Sequence, residues 1–114
     1  MALEHPDPRD QKYTKEVTAT AGNTSAPIII PGWVERVSVV VVPGGGGTAL
    51  VQFTVDPEIT VDSDPGSVDW VDWDAGSVAI ISGFTAKSAI TAVRVVATIA
   101  AAVLKIAGNR IKGR

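Results

Sequence analysis

Few residues in this sequence of 114 residues could carry acid–base or nucleophilic chemistry. The single histidine, His5, stands beside Pro6 in a polar stretch at the start of the chain. A general base must be held in a fixed position relative to its partner, and such a stretch does not provide that. The chain has no cysteine, so it lacks thiol nucleophiles and thiolate ligands for zinc. The sequence therefore predicts no catalytic residues, no cofactor and no enzymatic activity.

An acidic cluster is the second place where chemistry could occur, because Ca²⁺ is bound mainly by carboxylate and carbonyl oxygens. The segment Asp62-Ser63-Asp64-Pro65-Gly66 partly matches a calcium-binding loop, but it lacks a third carboxylate and a closing glutamate. We therefore predict no metal site here, with calcium kept as an open alternative. The aspartates concerned are Asp62, Asp64, Asp69, Asp72 and Asp74.

Two tryptophans lie among these aspartates, at Trp70 and Trp73. Residues three apart on a strand point to opposite faces, so one indole is expected in the core and the other near the surface. Tryptophan anchors protein interfaces, and beside carboxylates it also suits a sugar site. Both residues are therefore candidate partner-binding residues, and core packing, a protein interface and a glycan site stay open.

The glycine-rich segment Pro43–Gly47 could be taken for a phosphate-binding loop. That motif requires a following lysine with serine or threonine and the start of a helix. Here Thr48 opens a strand instead, so we predict a flexible hairpin turn and no nucleotide site.

The composition of the chain indicates one folded domain and limits the kinds of partner that it can bind. Hydrophobic residues make up 46% of the chain, enough for one folded core. The net charge of −2 argues against nucleic acid, which requires a basic surface. The polar start Met1–Gln11 does not read as a signal peptide. The apolar segment Ala89–Ala107 contains Arg94 near its middle, so no membrane span is expected.

Strand patterns dominate the chain. Trp33–Val42 and Thr48–Val55 predict one hairpin, with both faces of the valine-rich half of the first strand buried. Val51, Phe53 and Val55 are expected to alternate with polar residues in the second strand. A second hairpin is predicted from Ile90–Ile99 and Ala102–Ile106. Shorter strands are expected at Tyr13–Thr20, Ala26–Ile30, Ile59–Val61 and Ser77–Ile81.

These strands predict an all-β fold, an antiparallel β-sandwich of seven or eight strands that is either immunoglobulin-like or jelly-roll-like. Little or no helix is expected, except for a possible helical turn within Thr98–Lys105. The expected organisation is an amino-terminal arm at residues 1–12, a sandwich domain at 13–108 and a basic carboxy-terminal tail at 109–114.

Both chain ends are polar and would ordinarily be disordered unless a partner holds them. They are therefore candidate partner-binding segments. The residues concerned are His5, Pro6, Asp7, Pro8 and Arg9 in the arm, and Arg110, Lys112 and Arg114 in the tail.

Between Tyr13 and Gly108 the chain resembles small virion structural proteins of tailed bacteriophages, such as capsid decoration (cement) proteins and head or tail accessory proteins. The likeness is carried by Trp70–Val78 (WVDWDAGSV), Ile90–Arg94 (ITAVR) and the short final strand at Ala102–Ala107.

The resemblance implies a non-catalytic protein of the virion, most specifically one on the capsid surface. Its implied partners are the major capsid protein or other virion proteins, contacted by the arms Met1–Lys12 and Asn109–Arg114. It also implies a homo-oligomer, preferably a trimer. A neck, tail or fibre protein, and a carbohydrate-binding or adhesive module, remain as alternatives.

Overall fold

A computed structural model describes residues 12–31, 34, 36–86 and 90–109 of the chain. Eight strands form two four-stranded antiparallel sheets, which confirms the predicted all-β sandwich. The elements in chain order are β1 (Lys12–Ala19), β2 (Ile28–Ile29), β3 (Arg36–Pro43), β4 (Thr48–Thr54), α1 (Glu58–Ser63), a 3₁₀ turn (Pro65–Ser67), β5 (Val71–Asp72), β6 (Ser82–Ala86), β7 (Ala92–Thr98) and β8 (Ala102–Asn109).

The strand order selects one of the two expected sandwich types. The first sheet has the order β1-β8-β3-β6, and the second has the order β2-β7-β4-β5. Among consecutive strands only β4 and β5 are neighbours in one sheet, so every other connection crosses between the sheets. This is the strand order of a jelly roll.

Both predicted hairpins are wrong. The strand β3 pairs with β8 and β6, whereas β4 pairs with β7 and β5. The strands β7 and β8 likewise belong to different sheets. Each of these strands has one apolar face, and a short crossing between sheets about 10 Å apart lets the two faces pack against each other.

The valine run of β3 is buried on one face only, contrary to the prediction for both faces. Val39 and Val41 are fully buried, whereas Val40 is 37% exposed. The strand does lie inside its sheet, but a two-layer sandwich leaves the outer face of each sheet open to solvent unless another segment covers it.

The predicted alternation in β4 also ends early. Val55 is exposed, whereas Thr54 is buried, and the Thr54 hydroxyl accepts a hydrogen bond of 3.0 Å from the backbone N–H of Asp56. The strand therefore stops at Thr54, where this bond turns the chain out of the sheet.

The segment between β4 and β6 departs most from the predictions. The expected strand Ile59–Val61 is part of the helix α1, which follows Pro57 and directs Val61 inward against Val68 and Ala92. The expected strand at Ser77–Ile81 contributes only a bridge from Val78 to Ala49. No helical turn forms at Thr98–Lys105, where β7 ends and β8 begins.

The main core lies between the two sheets and is built from small branched side chains. A hydrogen bond of 2.8 Å from the Tyr13 hydroxyl to the Ile29 carbonyl ties the first sheet to the second. In the described part of the chain, no helix is long and apolar enough to cross a membrane. The fully buried side chains of this core include Leu104, Val39, Val41, Val51, Val93 and Val95.

Candidate functional site

Trp73 lies in the core. Its side chain is 6% exposed, its ring centroid lies 5.4 Å from that of Phe84, and its indole N–H donates to the carbonyl of Gly76. This confirms the expectation that one of the two indoles fills the core. A partner contact by Trp73 remains an untested prediction.

Trp70 is half-buried on the outer face of the second sheet, where Arg94 covers it. The Arg94 guanidinium carbon lies 4.3 Å from the centre of the Trp70 ring, at cation–π distance. Within the described residues, the buried indole N–H of Trp70 has no hydrogen-bond partner. The ring therefore packs beneath an arginine and does not present an open stacking surface for a sugar.

A chain of polar contacts fixes the position of Arg94. Its Nε donates to Gln52 Oε1 at 2.8 Å, and Gln52 Nε2 donates to Asp72 Oδ1 at 2.9 Å. Partial burial lowers the pKa of Arg94, but guanidinium is basic enough to stay charged at neutral pH. The result is a cation held in one orientation on the sheet surface.

Sequence reasoning missed the roles of Gln52 and Arg94. They face each other directly in the register of β4 and β7, whose pairing is not apparent from the sequence. An outward polar residue in each strand was the available signal, but it becomes informative only once the strands are known to be neighbours.

Two aspartates of this region hold loops in place. Asp56 accepts a hydrogen bond from the backbone N–H of Asp69 at 2.7 Å, and Asp64 accepts one from the Ser67 hydroxyl at 2.7 Å. In the part of the chain that the structure describes, no three carboxylate, histidine or cysteine side chains are placed to hold a metal ion.

The predicted arm residues lie outside the described residues. They are His5, Pro6, Asp7, Pro8, Arg9, Arg110, Lys112 and Arg114. Their attachment points are defined, because Lys12 is paired with Asn109 across β1 and β8. Both arms therefore start at the same end of the sandwich, which we call the arm end.

The opposite end, which we call the loop end, consists of three complete connections between strands and the later part of a fourth, and these four segments carry no charged residue. The connection between β5 and β6 runs from residue 73 to residue 81 and includes the exposed Asp74, which directly precedes its loop-end segment. The arm end, by contrast, includes the charged residues Lys12, Arg36, Asp56 and Glu58. The segments of the loop end are residues 20–27, 44–47, 75–81 and 99–101.

Three large aliphatic side chains project from the loop end. Ile80, Ile81 and Ile99 are 74%, 66% and 78% exposed. Ile99 also has a φ of 69°, a left-handed conformation that is a clear outlier for a β-branched residue. Strain of this kind often marks sites whose conformation serves a function.

The glycine-rich connection crosses between the sheets, so it is not the hairpin turn that the sequence predicted, and it packs against the residues on either side of Ile99. A Cβ atom at Gly44 would overlap the carbonyl oxygen of Ala101, and one at Gly47 would overlap that of Thr98. The absence of these side chains lets two connections lie directly against each other.

Comparison with known proteins gives a likeness of fold. No family model matches the chain, and no curated protein matches it. One similar solved structure comes from Bacillus endospore appendages, described as a novel family of disulfide-linked pili. It has a TM-score of 0.50 and 14% sequence identity, and the match covers 91% of this chain and 88% of that chain. Another is the SPBc2 prophage-derived protein YomS, with a TM-score of 0.51 and 7% identity over 96% of this chain and 98% of that one. At these identities the likeness establishes the shared sandwich fold.

Proposed function

We propose that this chain is a non-catalytic structural protein of a phage particle, and specifically a capsid decoration protein that binds the major capsid protein. Its jelly roll is an architecture that viral capsid proteins use. The prophage-derived and pilus proteins of similar fold are compatible with a structural role. The observation that carries the proposal is the loop end, with its three exposed isoleucines and no charge.

An uncharged, aliphatic surface of this kind suits a protein partner. Interface cores are depleted of charged residues, because an unpaired charge is costly to bury. Peripheral membrane binding usually adds basic and aromatic residues, and the four loop-end segments contain neither. Nucleic acid would require a basic surface, which is also absent from these segments.

The loop end alone is too small for a stable complex. Four strands at about 4.8 Å spacing and two layers about 10 Å apart give an end face of roughly 400 Å² once side chains are included. Stable interfaces bury about 800 Å² on each partner. The loop end therefore requires additional contacts with the same partner.

The two arms are candidates for these additional contacts. The eleven residues before Lys12 span at most about 36–40 Å when fully extended, whereas β1 is about 27 Å long. An arm that starts at the arm end is therefore long enough to reach a surface on which the loop end is docked. Arms and loop end bound together would add affinity through their high effective concentration.

Antibody labelling of purified phage particles tests this proposal. An antibody raised against the protein should label the capsid in electron micrographs of particles purified from the strain that carries the sequence. Label confined to the neck, tail or fibres would replace the capsid assignment with the accessory alternative. Purified particles without label would refute the proposal. A homo-oligomer forms part of this proposal; the resemblance implies a trimer, and the mass of the purified protein in solution decides the number of copies.

A further inference from the structure

The open edges of the two sheets differ in how well they are protected against pairing with another chain. The edge strands are β1 and β6 in the first sheet, and β2 and β5 in the second. Along any edge, alternate residues direct backbone N–H and C=O groups away from the sheet, which makes the edge a template for another strand.

Three of the four edges are protected. The strand β1 has Lys15 opposite Ile106, at an inward-facing position, and Glu16 follows it. Inward-pointing charges on an edge strand oppose the addition of a further strand. The strands β2 and β5 are only two residues long, and short edges give few hydrogen bonds to a partner. The segment before β2 also bonds to β7, at Thr24 and Ser25, but Pro27 interrupts it.

The strand β6 has none of these protections. Its five residues, Ser82–Ala86, contain no charge and no proline. In the described part of the chain nothing pairs with its outer side. The next charge in the sequence, Lys87, lies outside the described residues.

Apolar side chains surround this edge. The contact between Trp73 and Phe84 shows that β5 and β6 lie on the same side of the sandwich. On that side Val71 is 51% exposed, and Ile81, which directly precedes β6, is 66% exposed. A strand added to β6 would therefore cover apolar surface as well as backbone groups.

We infer that β6 pairs antiparallel with β6 of a second copy of this chain. Among the described edges, only another β6 offers five consecutive strand residues free of both charge and proline, so the matching partner is the same strand. Such a pair is related by a two-fold axis and joins two four-stranded sheets into one of eight strands. The contact closes as a dimer, so a trimer would have to use another surface. The inference does not depend on which particle contains the protein.

The test compares one substitution at opposite edges of the same sheet. Thr85 in β6 and Thr18 in β1 are both exposed on the outer face of the first sheet. The wild-type full chain should sediment as a dimer, with twice the monomer mass of 11.8 kDa. Thr85→Lys should raise the dissociation constant at least tenfold, because the two-fold axis brings two ammonium groups close together. Thr18→Lys should leave it unchanged.

A distance measurement gives an independent readout. Because the chain has no cysteine, Thr85→Cys and Thr18→Cys each accept a single spin label. In the inferred dimer, labels at position 85 sit on neighbouring strands as diagonal neighbours, about 7–8 Å apart at the backbone, whereas labels at position 18 are separated by seven strand spacings, at least about 34 Å. A wild-type monomer, equal effects of the two lysines or a shorter distance at position 18 would overturn the inference. These outcomes are measured without a capsid, so they do not decide whether Ile80 and Ile99 of the loop end bind one.

Discussion

The left-handed conformation of Ile99 leads to an unusual prediction, because replacing this apolar residue by asparagine should stabilise the protein. In the left-handed region the Cβ atom crowds the following carbonyl oxygen, which costs about 1–2 kcal/mol for an ordinary residue. Asparagine adopts this region more readily than other residues that carry a side chain. Ile99 has a φ of 69° and is the one residue other than glycine with positive φ among those described.

The loss of burial is small by comparison. Complete burial of an isoleucine side chain is worth about 1.5–3 kcal/mol. Ile99 is 78% exposed, so its buried fraction contributes only roughly 0.3–0.7 kcal/mol. The net effect of Ile99→Asn is therefore an increase of about 1 kcal/mol in the free energy of unfolding.

Urea denaturation of Ile99→Asn and Ile80→Asn measures this effect with a matched control. Ile80 is 74% exposed and its φ is not positive, so the same substitution there should cost roughly 0.4–0.8 kcal/mol. The two variants should thus shift stability in opposite directions, by about 4 °C per kcal/mol in a thermal melt. Equal destabilisation of both variants would refute the argument from backbone strain.

Three further predictions concern packing and ionisation. Gly44→Ala should destabilise the protein by about 1–3 kcal/mol in urea denaturation because of the clash with its neighbouring loop, whereas Gly45→Ala, with open space around it, should be nearly neutral. Arg94→Ala should cost about 0.5–2 kcal/mol and shift the tryptophan fluorescence to the red; a double-mutant cycle with Trp70→Leu that gives no coupling would contradict the cation–π contact. Burial raises the pKa of Tyr13, the single tyrosine, so its absorbance titration should have a midpoint above 10.0. Because the unfolded tyrosine ionises first, this group contributes stability that is complete below pH 10 and is lost as the pH rises through the folded pKa; Tyr13→Phe should remove that loss.

The sequence predicted which segments become strands better than it predicted how they pair. Tyr13–Thr20 and Ile90–Ile99 nearly coincide with β1 and β7, because alternating apolar residues are a local signal. Pairing depends on distant parts of the chain. A valine-rich strand followed by a glycine turn looks the same whether the next strand returns beside it or crosses to the facing sheet, so both hairpins were wrong.

The candidate functional surfaces could not be predicted either, because they also depend on which strands are neighbours. The sequence singled out Trp70 but not Arg94, which reaches it only because β4 and β7 are neighbours. Ile80 and Ile99 are nineteen residues apart in the sequence, and nothing local indicates that they project from one uncharged end. Only the jelly-roll connections bring these loops together.

Co-sedimentation with capsids that lack the protein tests most directly whether the loop end is the contact surface. The comparison uses the wild type, the double variant Ile80→Asn/Ile99→Asn, and Ile59→Asn, which changes an isoleucine of similar exposure on α1 outside the loop end. We predict that the double variant remains folded and binds at least tenfold more weakly than the wild type, while Ile59→Asn binds normally. Unchanged binding by the double variant, or an equal loss with Ile59→Asn, would contradict this account.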